Sequence, residues 1–240
     1  MKPSLSIKPS TDERVIIFDS SSIINFTLNG LLTEFRELKR IFKGKFIIPL
    51  EVKEEIIDKP MQIKRFELEA LKIKELIEEN ILELPTSMGI DESKISAKTK
   101  ELMNLANNTF SGRQSPIHII DSGETACLVL STILSERGIK NIICVDERTI
   151  RMLGEKPENL LDILKNRLHT QTITPKKENY KFFEGFKFIR STELIFVAYS
   201  RGLVKLKNGI VLDALLYALK FNGCSISDEE INEIKKLNKA

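Results

Sequence analysis

The sequence predicts an α/β fold in which helices cover both faces of a parallel sheet. Three short apolar runs rich in β-branched residues, at positions 15–18, 46–48 and 142–145, predict buried strands. Each run leads through a polar residue or proline into a segment with helical periodicity. Continuous apolar strands that alternate with helices are typical of a parallel sheet with both faces buried.

The helices are predicted from apolar spacing and from start and stop signals. Gly30 separates the first two helices, and Pro49 fits the first turn of a third helix that ends before the break at 58–60. Apolar residues in the segment 62–83 recur at helical spacing opposite a charged face. The predicted helical segments are 21–29, 32–42, the one after Pro49, 62–83, 96–107, 122–137 and one that begins at the capping box 227–230.

Length and composition are those of one domain with a sizeable core. The chain has 240 residues, of which 42% are hydrophobic and 30% charged. We predict a single domain over residues 14–240, preceded by an N-terminal extension at 1–13. Two segments that are rich in turn-forming or polar residues, at about 60–116 and 154–186, are predicted to be insertions into this domain.

The charge balance and the cysteines exclude several classes of protein. With 37 basic and 34 acidic residues the formal net charge is +3, which excludes a globally basic nucleic-acid coat and an acidic disordered tail. The cysteines lie far apart in apolar stretches, which indicates reduced thiols rather than a disulfide framework or a zinc cage. No apolar run approaches the roughly 18–20 residues of a membrane helix, and the polar start lacks a secretory signal. We therefore expect a cytoplasmic protein with no membrane contact.

Several carboxylates are predicted to converge at one edge of the sheet. Asp19 and Asp146 each follow an apolar strand, and the carboxyl ends of parallel strands meet at the same edge. Glu55 lies on the helix after Pro49, and Asp121 and Glu124 open another helix. Because no His or Cys accompanies them, these side chains offer only oxygen ligands, which suit Mg²⁺ or Mn²⁺ rather than zinc.

Each carboxylate also has a simpler interpretation. Asp121 and Glu124 have the spacing of a capping box, and Asp19 and Asp146 can each be the N-cap of the following helix. Glu55 has other glutamates beside it and, taken alone, is typical of a solvated helix face. The metal-site hypothesis therefore depends on the combination of the five residues.

The order of these motifs resembles that of PIN-domain ribonucleases. The run 15–32 is similar to the opening of that family's domain, and the Pro-x-x-Val-x-x-Glu sequence at 49–55 is similar to its second motif. The Asp-x-Gly-Glu-x-Ala sequence at 121–126 resembles the third motif, and Val-Asp-Glu-Arg at 145–148 resembles the fourth. Further similarity, to the VapC-like archaeal and bacterial branch, lies in the segments 191–204 and 212–237. The four motifs occur in the family's order.

The resemblance implies a fold, an activity and a set of site residues. The fold would be PIN-like, with three α/β/α layers, a central, mostly parallel sheet of four to five strands and helical insertions. The activity would be that of a metal-dependent endoribonuclease that hydrolyses RNA phosphodiester bonds. Ser21 would hydrogen-bond one of the metal-binding carboxylates; its alternative interpretation is a serine at the start of a helix. The residues implied to hold one or two Mg²⁺ or Mn²⁺ ions are Asp19, Glu55, Glu124 and Asp146, with Asp121 as an outer member.

Two features depart from the family pattern. Glu147 stands where many relatives have a second aspartate, and the two insertions are longer than in the compact toxins. The resemblance nevertheless raises the hypotheses of a VapC-like toxin role, a small antitoxin protein as partner, and a homodimer.

Candidate contacts to a single-stranded RNA substrate lie in two places. Arg148 and Arg151 follow Asp146 closely and, together with Ser21, are the candidate substrate-binding residues; a surface ion pair is the competing interpretation of the arginines. Between positions 176 and 207 there are eight basic and three acidic residues, interleaved with aromatic residues. The alternative for those aromatic residues is burial in the core.

Two other functions are compatible with parts of this pattern. A PIN-like domain without turnover would be an RNA-binding or partner-binding module. A haloacid-dehalogenase-type phosphatase also begins with an aspartate after its first strand, but it needs a second aspartate where Ser21 stands. The presence of all four core carboxylates favours the nuclease.

Overall fold

The computed structural model describes residues 13–113, 115–169 and 172–237. The strands in this part of the chain are β1 (Arg14–Phe18), β2 (Lys45–Ile47), β3 (Phe110–Ser111), β4 (Lys140–Cys144), β5 (Thr174–Pro175) and β6 (Phe188–Ile189). Four of them form a parallel sheet in the order β2-β1-β4-β6, and β3 pairs with β5 in a small antiparallel sheet.

Helices lie between and around these strands. They are α1 (Ser20–Leu28), α2 (Leu32–Ile41), α3 (Leu50–Lys53), α4 (Glu67–Glu78), α5 (Glu92–Asn107), α6 (Ser122–Glu136), α7 (Arg148–Glu155), α8 (Pro157–Arg167), α9 (Ser191–Ser200), α10 (Val211–Phe221) and α11 (Asp228–Leu237). A π-helical turn, Glu54–Asp58, continues α3. Helix α6 packs on β1 and β4, and α9 packs between α2 and α10.

The predicted α/β class and the parallel sheet are confirmed. Residues 15–18 of β1 are buried, as expected for a strand with both faces covered. The described sheet has four strands, the lower end of the predicted range. Strand β6 was not predicted, because two residues are too few for a periodic signal and only pairing with β4 makes this segment a strand.

Two predicted helices have different limits in the structure. Helix α4 covers Glu67–Glu78 rather than 62–83, because Pro60 begins a 3₁₀ turn and the chain does not become α-helical until Glu67. Helix α5 begins at Glu92, earlier than predicted, because the side chain of Asp91 accepts the backbone N–H of Ser93 and caps the helix there.

The C-terminal capping box is present as predicted. Ser227 N–H donates to Glu230 Oε2 at 2.9 Å, and Glu230 N–H donates to Ser227 Oγ at 3.2 Å. Ile226 and Ile231, the two ends of the predicted hydrophobic staple, are both buried.

The segments predicted to be insertions contribute to the core. Ile73 and Leu76 in the first segment and Leu160 and Phe183 in the second are buried and belong to one hydrophobic cluster with the sheet. Most of the predicted N-terminal extension, residues 1–12, lies outside the described residues. None of the helices in the described part of the chain has the length and apolar character that a membrane span requires.

Four phenylalanines form an aromatic cluster on one face of the sheet. The ring centroid of Phe35, on α2, lies 5.0 Å from the ring centroid of Phe18 and 5.2 Å from the ring centroids of both Phe26 and Phe46. All four side chains are completely or almost completely buried. Edge-to-face pairs of this kind add to the stabilisation from apolar burial, so Phe35 joins α1, α2 and the sheet.

Replacement of Phe35 by alanine is expected to lower the free energy of unfolding by about 3–5 kcal/mol, because it leaves a cavity and removes three ring contacts. Urea unfolding followed by circular dichroism measures the change. The matched control is Phe182→Ala, since that ring is 48% exposed; its expected effect is within about 0.5 kcal/mol. Equal effects of the two substitutions would contradict the central position of Phe35.

Candidate active site

The candidate site lies at the carboxyl edge of β1 and β4. Asp19 follows β1 directly, and Asp146 lies two residues after β4. The two strands are parallel neighbours, with Phe18 in register with Cys144. Asp19 N–H donates to the carbonyl of Cys144 at 2.9 Å, so the pairing continues to the site itself.

Asp19 is held in place by the start of α1. Its Oδ2 accepts the backbone N–H of Ser21 at 3.0 Å and the hydroxyl of Ser21 at 2.6 Å. It therefore is the N-cap of α1, as the simpler interpretation proposed. Burial raises the pKa of Asp19 to about 6, and the negative charge of Glu55 contributes to the increase.

Glu55 reaches the same place from the π-helical turn. Its Oε2 accepts the hydroxyl of Ser20 at 2.5 Å, and its Oε1 accepts the backbone N–H of Gly123, at the start of α6, at 3.2 Å. A Cβ at position 123 would lie 2.6 Å from Glu55 Oε2, so any residue other than glycine would displace the Glu55 carboxylate from its present position. Short π-helical segments occur frequently at functional sites, because the extra residue redirects a side chain.

Glu124 faces Asp19 from α6. Its Oε2 accepts the backbone N–H of Asp121 at 3.1 Å, which is part of a capping box. Its Oε1 is buried and has no hydrogen-bond partner among the described residues. Burial raises the pKa of Glu124 to about 9, and the charges of Asp19, Glu147 and Asp121 add to the increase. Glu124 therefore caps α6 and at the same time lies among the other carboxylates of the site.

The thiol of Cys127, on α6, is buried and donates to the backbone carbonyl of Phe18 at 3.6 Å, next to Asp19 in the sequence. Burial raises its pKa, and the negative charges of Asp19, Glu55 and Glu124 raise it further. Three carboxylates from three different elements thus act on one another and on the same buried atom. We call Asp19, Glu55 and Glu124 the acidic cluster.

Asp146 has a different environment from the acidic cluster. It is completely buried, and its Oδ1 accepts the backbone N–H of Ser191 at 2.8 Å. Its Oδ2 accepts the hydroxyl of Ser191 at 2.6 Å and the side-chain amide of Asn25 at 2.7 Å. Asp146 therefore stabilises the start of α9 and the buried face of α1.

Ser21 connects the two environments. Its hydroxyl donates to Asp19 Oδ2 at 2.6 Å and accepts the backbone N–H of Asp146 at 3.1 Å. The side chain is thus engaged with both aspartates, in the position where the resemblance places a carboxylate partner.

The remaining candidate residues lie around the site. Asp121 is largely exposed and its Oδ1 is 2.7 Å from Nε2 of His118. Arg148 is exposed at the start of α7. Arg151 donates from Nη2 to the carbonyl of Ser225 at 2.9 Å, and burial, together with the charge of Arg190, lowers its pKa. The structure therefore brings Asp19, Glu55 and Glu124 together, with Asp146 beside them and Asp121 on the solvent side.

The basic segment 176–207 is only partly available for a substrate. Tyr180 and Phe183 are buried, and Arg190 pairs with Glu193 and Glu230. Phe182 is exposed, with the Lys181 ammonium 5.1 Å from its ring centroid. Two of the aromatic residues, Tyr180 and Phe183, are therefore buried in the core, which is the alternative interpretation given for this segment.

The sequence interpretation missed four residues that position the carboxylates. Ser20 and Gly123 fix Glu55, and Asn25 and Ser191 fix Asp146. The role of Asn25 could have been recognised from the sequence, because a polar residue among the apolar positions of α1 needs a hydrogen-bond partner inside the protein. No feature of the sequence indicated the role of Ser191, since its partner Asp146 is distant in sequence.

A metal ion is the candidate ligand for the oxygen atoms of the acidic cluster. The described residues contain no three His, Cys, Asp or Glu side chains that already stand in an arrangement able to hold a metal. The acidic cluster nevertheless has the chemistry for a hard cation: it offers only oxygen atoms, and Glu124 Oε1 is buried with no hydrogen-bond partner. A cation would also favour the charged forms of Asp19 and Glu124, whose pKa values are raised by burial and, to a smaller extent, by neighbouring carboxylates.

No family model matches the chain, and neither the curated proteins nor the solved structures include a significant match to it. The similarity to PIN-domain ribonucleases thus rests on the motif residues described above.

The raised pKa of Glu124 predicts pH-dependent stability of the metal-free protein. Between its ordinary value of 4.5 and about 9 in the folded state, the folded protein holds a proton that the unfolded chain lacks. The free energy of unfolding should therefore fall as the pH rises through this window, by up to about 1.4 kcal/mol per pH unit. Urea unfolding in EDTA between about pH 6.5 and 8.5, above the pKa of Asp19, measures the slope.

Glu124→Gln is expected to flatten this slope, because glutamine stays neutral and carries a donor as protonated glutamate does. Glu78→Gln removes a glutamate from an exposed position of α4 and should leave the slope unchanged. If Glu124→Gln keeps the wild-type slope, protonation of Glu124 is not the cause of the pH-dependent stability.

The close approach of Glu55 to α6 gives a second prediction. Gly123→Ala is expected to lower the free energy of unfolding by about 1–3 kcal/mol, because its Cβ overlaps the Glu55 carboxylate. Adding Glu55→Ala should recover much of this loss, which a double-mutant cycle detects as coupling. Gly209→Ala is the control, since nothing lies within 4 Å of a Cβ at that position. Additive effects at 123 and 55 would contradict the proposed contact.

Proposed function

We propose that this chain is a PIN-like, Mg²⁺- or Mn²⁺-dependent endoribonuclease that hydrolyses phosphodiester bonds in single-stranded RNA. The observation that carries the proposal is the acidic cluster, in which carboxyl groups from three elements meet below the surface and each makes ionisation of its neighbour less favourable. Burying these acidic groups together lowers the stability of the metal-free protein. A bound cation would offset this loss and take part in catalysis. The ordered PIN-like motifs support the same activity.

Each member of the site has a proposed role. Asp19, Glu55 and Glu124 would hold the metal together with Asp146, and Asp121 would be an outer member. A bound Mg²⁺ or Mn²⁺ ion would supply an acidified water and offset negative charge that develops on the phosphate.

The remaining groups position these carboxylates. The hydroxyl of Ser20 and the backbone N–H of Gly123 orient Glu55, and Ser21 orients Asp19. The hydrogen bonds from Asn25 and Ser191 keep Asp146 next to the cluster and below the surface.

The proton on Glu124 connects pH to metal binding. With a pKa of about 9, this side chain is protonated at neutral pH in the metal-free protein. It has to lose that proton before both of its oxygen atoms can act as ligands, so metal affinity should increase with pH.

The substrate and partners follow from the charges and from the resemblance. Arg148 and Arg151 stand just beyond Asp146 and are proposed to contact RNA phosphates, with Ser21 at the same edge. The VapC-like similarity supports a toxin role in the cytoplasm, with a small antitoxin protein as partner and a homodimer as the assembly.

Cleavage of a single-stranded RNA tests the proposed activity. We expect cleavage with Mn²⁺ or Mg²⁺, none in EDTA, and a loss of at least about 100-fold in rate for Asp19→Asn, because a metal ion contributes several kcal/mol to transition-state stabilisation. Asp91→Asn is the control, since it makes the same chemical change at an exposed helix cap outside the site.

Asp146→Asn should also abolish cleavage, but it changes buried hydrogen bonds, so its circular dichroism and melting temperature must be measured alongside. Binding of RNA without metal-dependent cleavage would establish the alternative, a catalytically inactive binding module. Cleavage that persists in EDTA or in Asp19→Asn would refute the proposed site.

A further inference from the structure

An apolar pocket lies between α1 and α4, beside the acidic cluster. Its volume is about 270 Å³, slightly below the range of about 300–1,000 Å³ for sites that enclose a whole small-molecule ligand. Its buried lining residues include Ile56, Ala70 and Ile73, and its exposed ones include Ile24 and Leu28 of α1. A pocket of this size suits one flat group of a larger ligand. We call this feature the α1–α4 pocket.

The α1–α4 pocket shares one residue with the acidic cluster. Glu55 lines the pocket, and its carboxylate is the one that accepts the hydroxyl of Ser20 and the backbone N–H of Gly123. The π-helical turn that carries Glu55 packs on both α1 and α4, the two helices that form the pocket. A group bound in the pocket therefore lies next to the oxygen atoms that are proposed to bind the metal ion.

An exposed aromatic ring also lines the pocket. Phe66, which directly precedes α4, is 44% exposed, although phenylalanine side chains are usually buried. The guanidinium carbon of Arg65 lies 5.4 Å from the centroid of this ring. Together with the exposed side chains of Ile24 and Leu28, the ring of Phe66 forms an apolar surface on which a flat aromatic group can stack.

One hydrogen-bond acceptor without a partner stands among these apolar groups. Glu69 lies one helical turn after Phe66, so the two side chains share a face of α4, and both line the pocket. The Glu69 carboxylate makes no hydrogen bond or ion pair with any described residue. The hydroxyl of Thr27, another polar group of the lining, is already used, because it donates to the carbonyl of Ile23 at 2.8 Å.

The charges of the lining exclude a phosphate and favour a donor. Both Glu55 and Glu69 line the pocket, and two carboxylates repel a phosphate group. A ligand that fits has an apolar, flat body and an N–H group directed at Glu69. The apolar side chain of a partner protein would leave the Glu69 carboxylate without a donor, whereas the base of a nucleotide supplies both features.

We propose that the α1–α4 pocket binds a nucleobase of the RNA strand next to the bond that is cleaved. The base stacks on Phe66, and its exocyclic amino group donates to Glu69. This inference rests on the proposed function for the identity of the ligand. Stacking on an aromatic ring accepts every base, whereas a carboxylate acceptor favours adenine, cytosine or guanine, which carry amino groups, over uracil. The pocket thus selects the base, while the metal ion and the arginines act on the phosphates.

Binding of short fluorescent RNAs in EDTA tests the inference without requiring cleavage. Phe66→Leu keeps an apolar side chain but removes the aromatic face, and it is expected to weaken the binding of oligo(A), oligo(C) and oligo(U) by about fivefold or more. The slope of log K against log salt should stay unchanged, because no phosphate contact is lost. Phe66→Trp keeps an aromatic face and should retain affinity. Leu68→Ala is the control, since that side chain is 59% exposed on α4 outside the pocket.

A substitution of Glu69 tests recognition of the amino group. The wild-type protein is expected to bind oligo(A) and oligo(C) about tenfold more tightly than oligo(U), the usual contribution of a hydrogen bond to a charged group. Glu69→Gln should reduce this preference, because the glutamine amide also donates to the carbonyl oxygen atoms of uracil. Glu67→Gln makes the same change on α4 at a residue that pairs with Lys64 outside the pocket, and it should leave the preference unchanged.

The outcomes distinguish this inference from the proposed activity. RNA binding that Phe66→Leu weakens and Phe66→Trp retains, without any cleavage, supports the pocket and refutes only the nuclease. Metal-dependent cleavage together with wild-type affinity and base preference in Phe66→Leu and Glu69→Gln overturns the pocket and leaves the nuclease intact. If Phe66→Leu leaves RNA affinity unchanged but dissociates a dimer in sedimentation velocity, the pocket takes a side chain of a second copy, and its assignment to a base is wrong. Absence of RNA binding by the wild-type protein refutes both proposals.

Discussion

The buried carboxylate of Asp146 is the interaction on which the arrangement of the site depends. It accepts hydrogen bonds from Asn25 on α1 and from Ser191 at the start of α9. Asn25 also donates to the carbonyl of Leu219 in α10 at 3.0 Å. A buried charge without partners costs several kcal/mol, so the fold is favoured only when these helices dock on the end of β4. The same docking brings the C-terminal segment to the edge of the sheet.

The acidic cluster contrasts with Asp146 in how its charge is balanced. Asp146 receives three hydrogen bonds, whereas Glu124 has one unpartnered oxygen atom and a pKa of about 9. The fold therefore gives hydrogen bonds to both oxygen atoms of Asp146 and leaves one oxygen atom of Glu124 without a partner beside two other carboxylates. Unsatisfied groups of this kind are common where a site is organised for a ligand rather than for stability. Asp146 therefore has a structural role in addition to its proposed place at the metal, whereas Glu124 keeps one oxygen atom without a hydrogen-bond partner.

Opposite charges lie side by side at the carboxyl edge, although the chain as a whole carries a formal charge of only +3. Arg148 and Arg151 lie on α7, just after Asp146, and among the described residues neither is within ion-pair distance of a carboxylate. The proposed RNA substrate would need both features, a cation near the reacting phosphate and fixed positive groups for the neighbouring phosphates. The main basic segment noted in the sequence contributes less, because Arg190 is used in ion pairs and two of its aromatic rings are buried.

The sequence by itself determined the α/β class, the three longer strands and the C-terminal capping box, because apolar runs and caps are local signals. It also indicated that Asp19 and Asp146 lie at one edge, since parallel strands impose that. Only the tertiary structure decided that β6 exists, that Glu55 lies on a π-helical turn against Gly123, and which residues hold Asp146. Gly123 follows Glu55 by 68 positions and Ser191 follows Asp146 by 45. Contacts over such separations depend on how whole elements pack, and local residue patterns do not encode that packing.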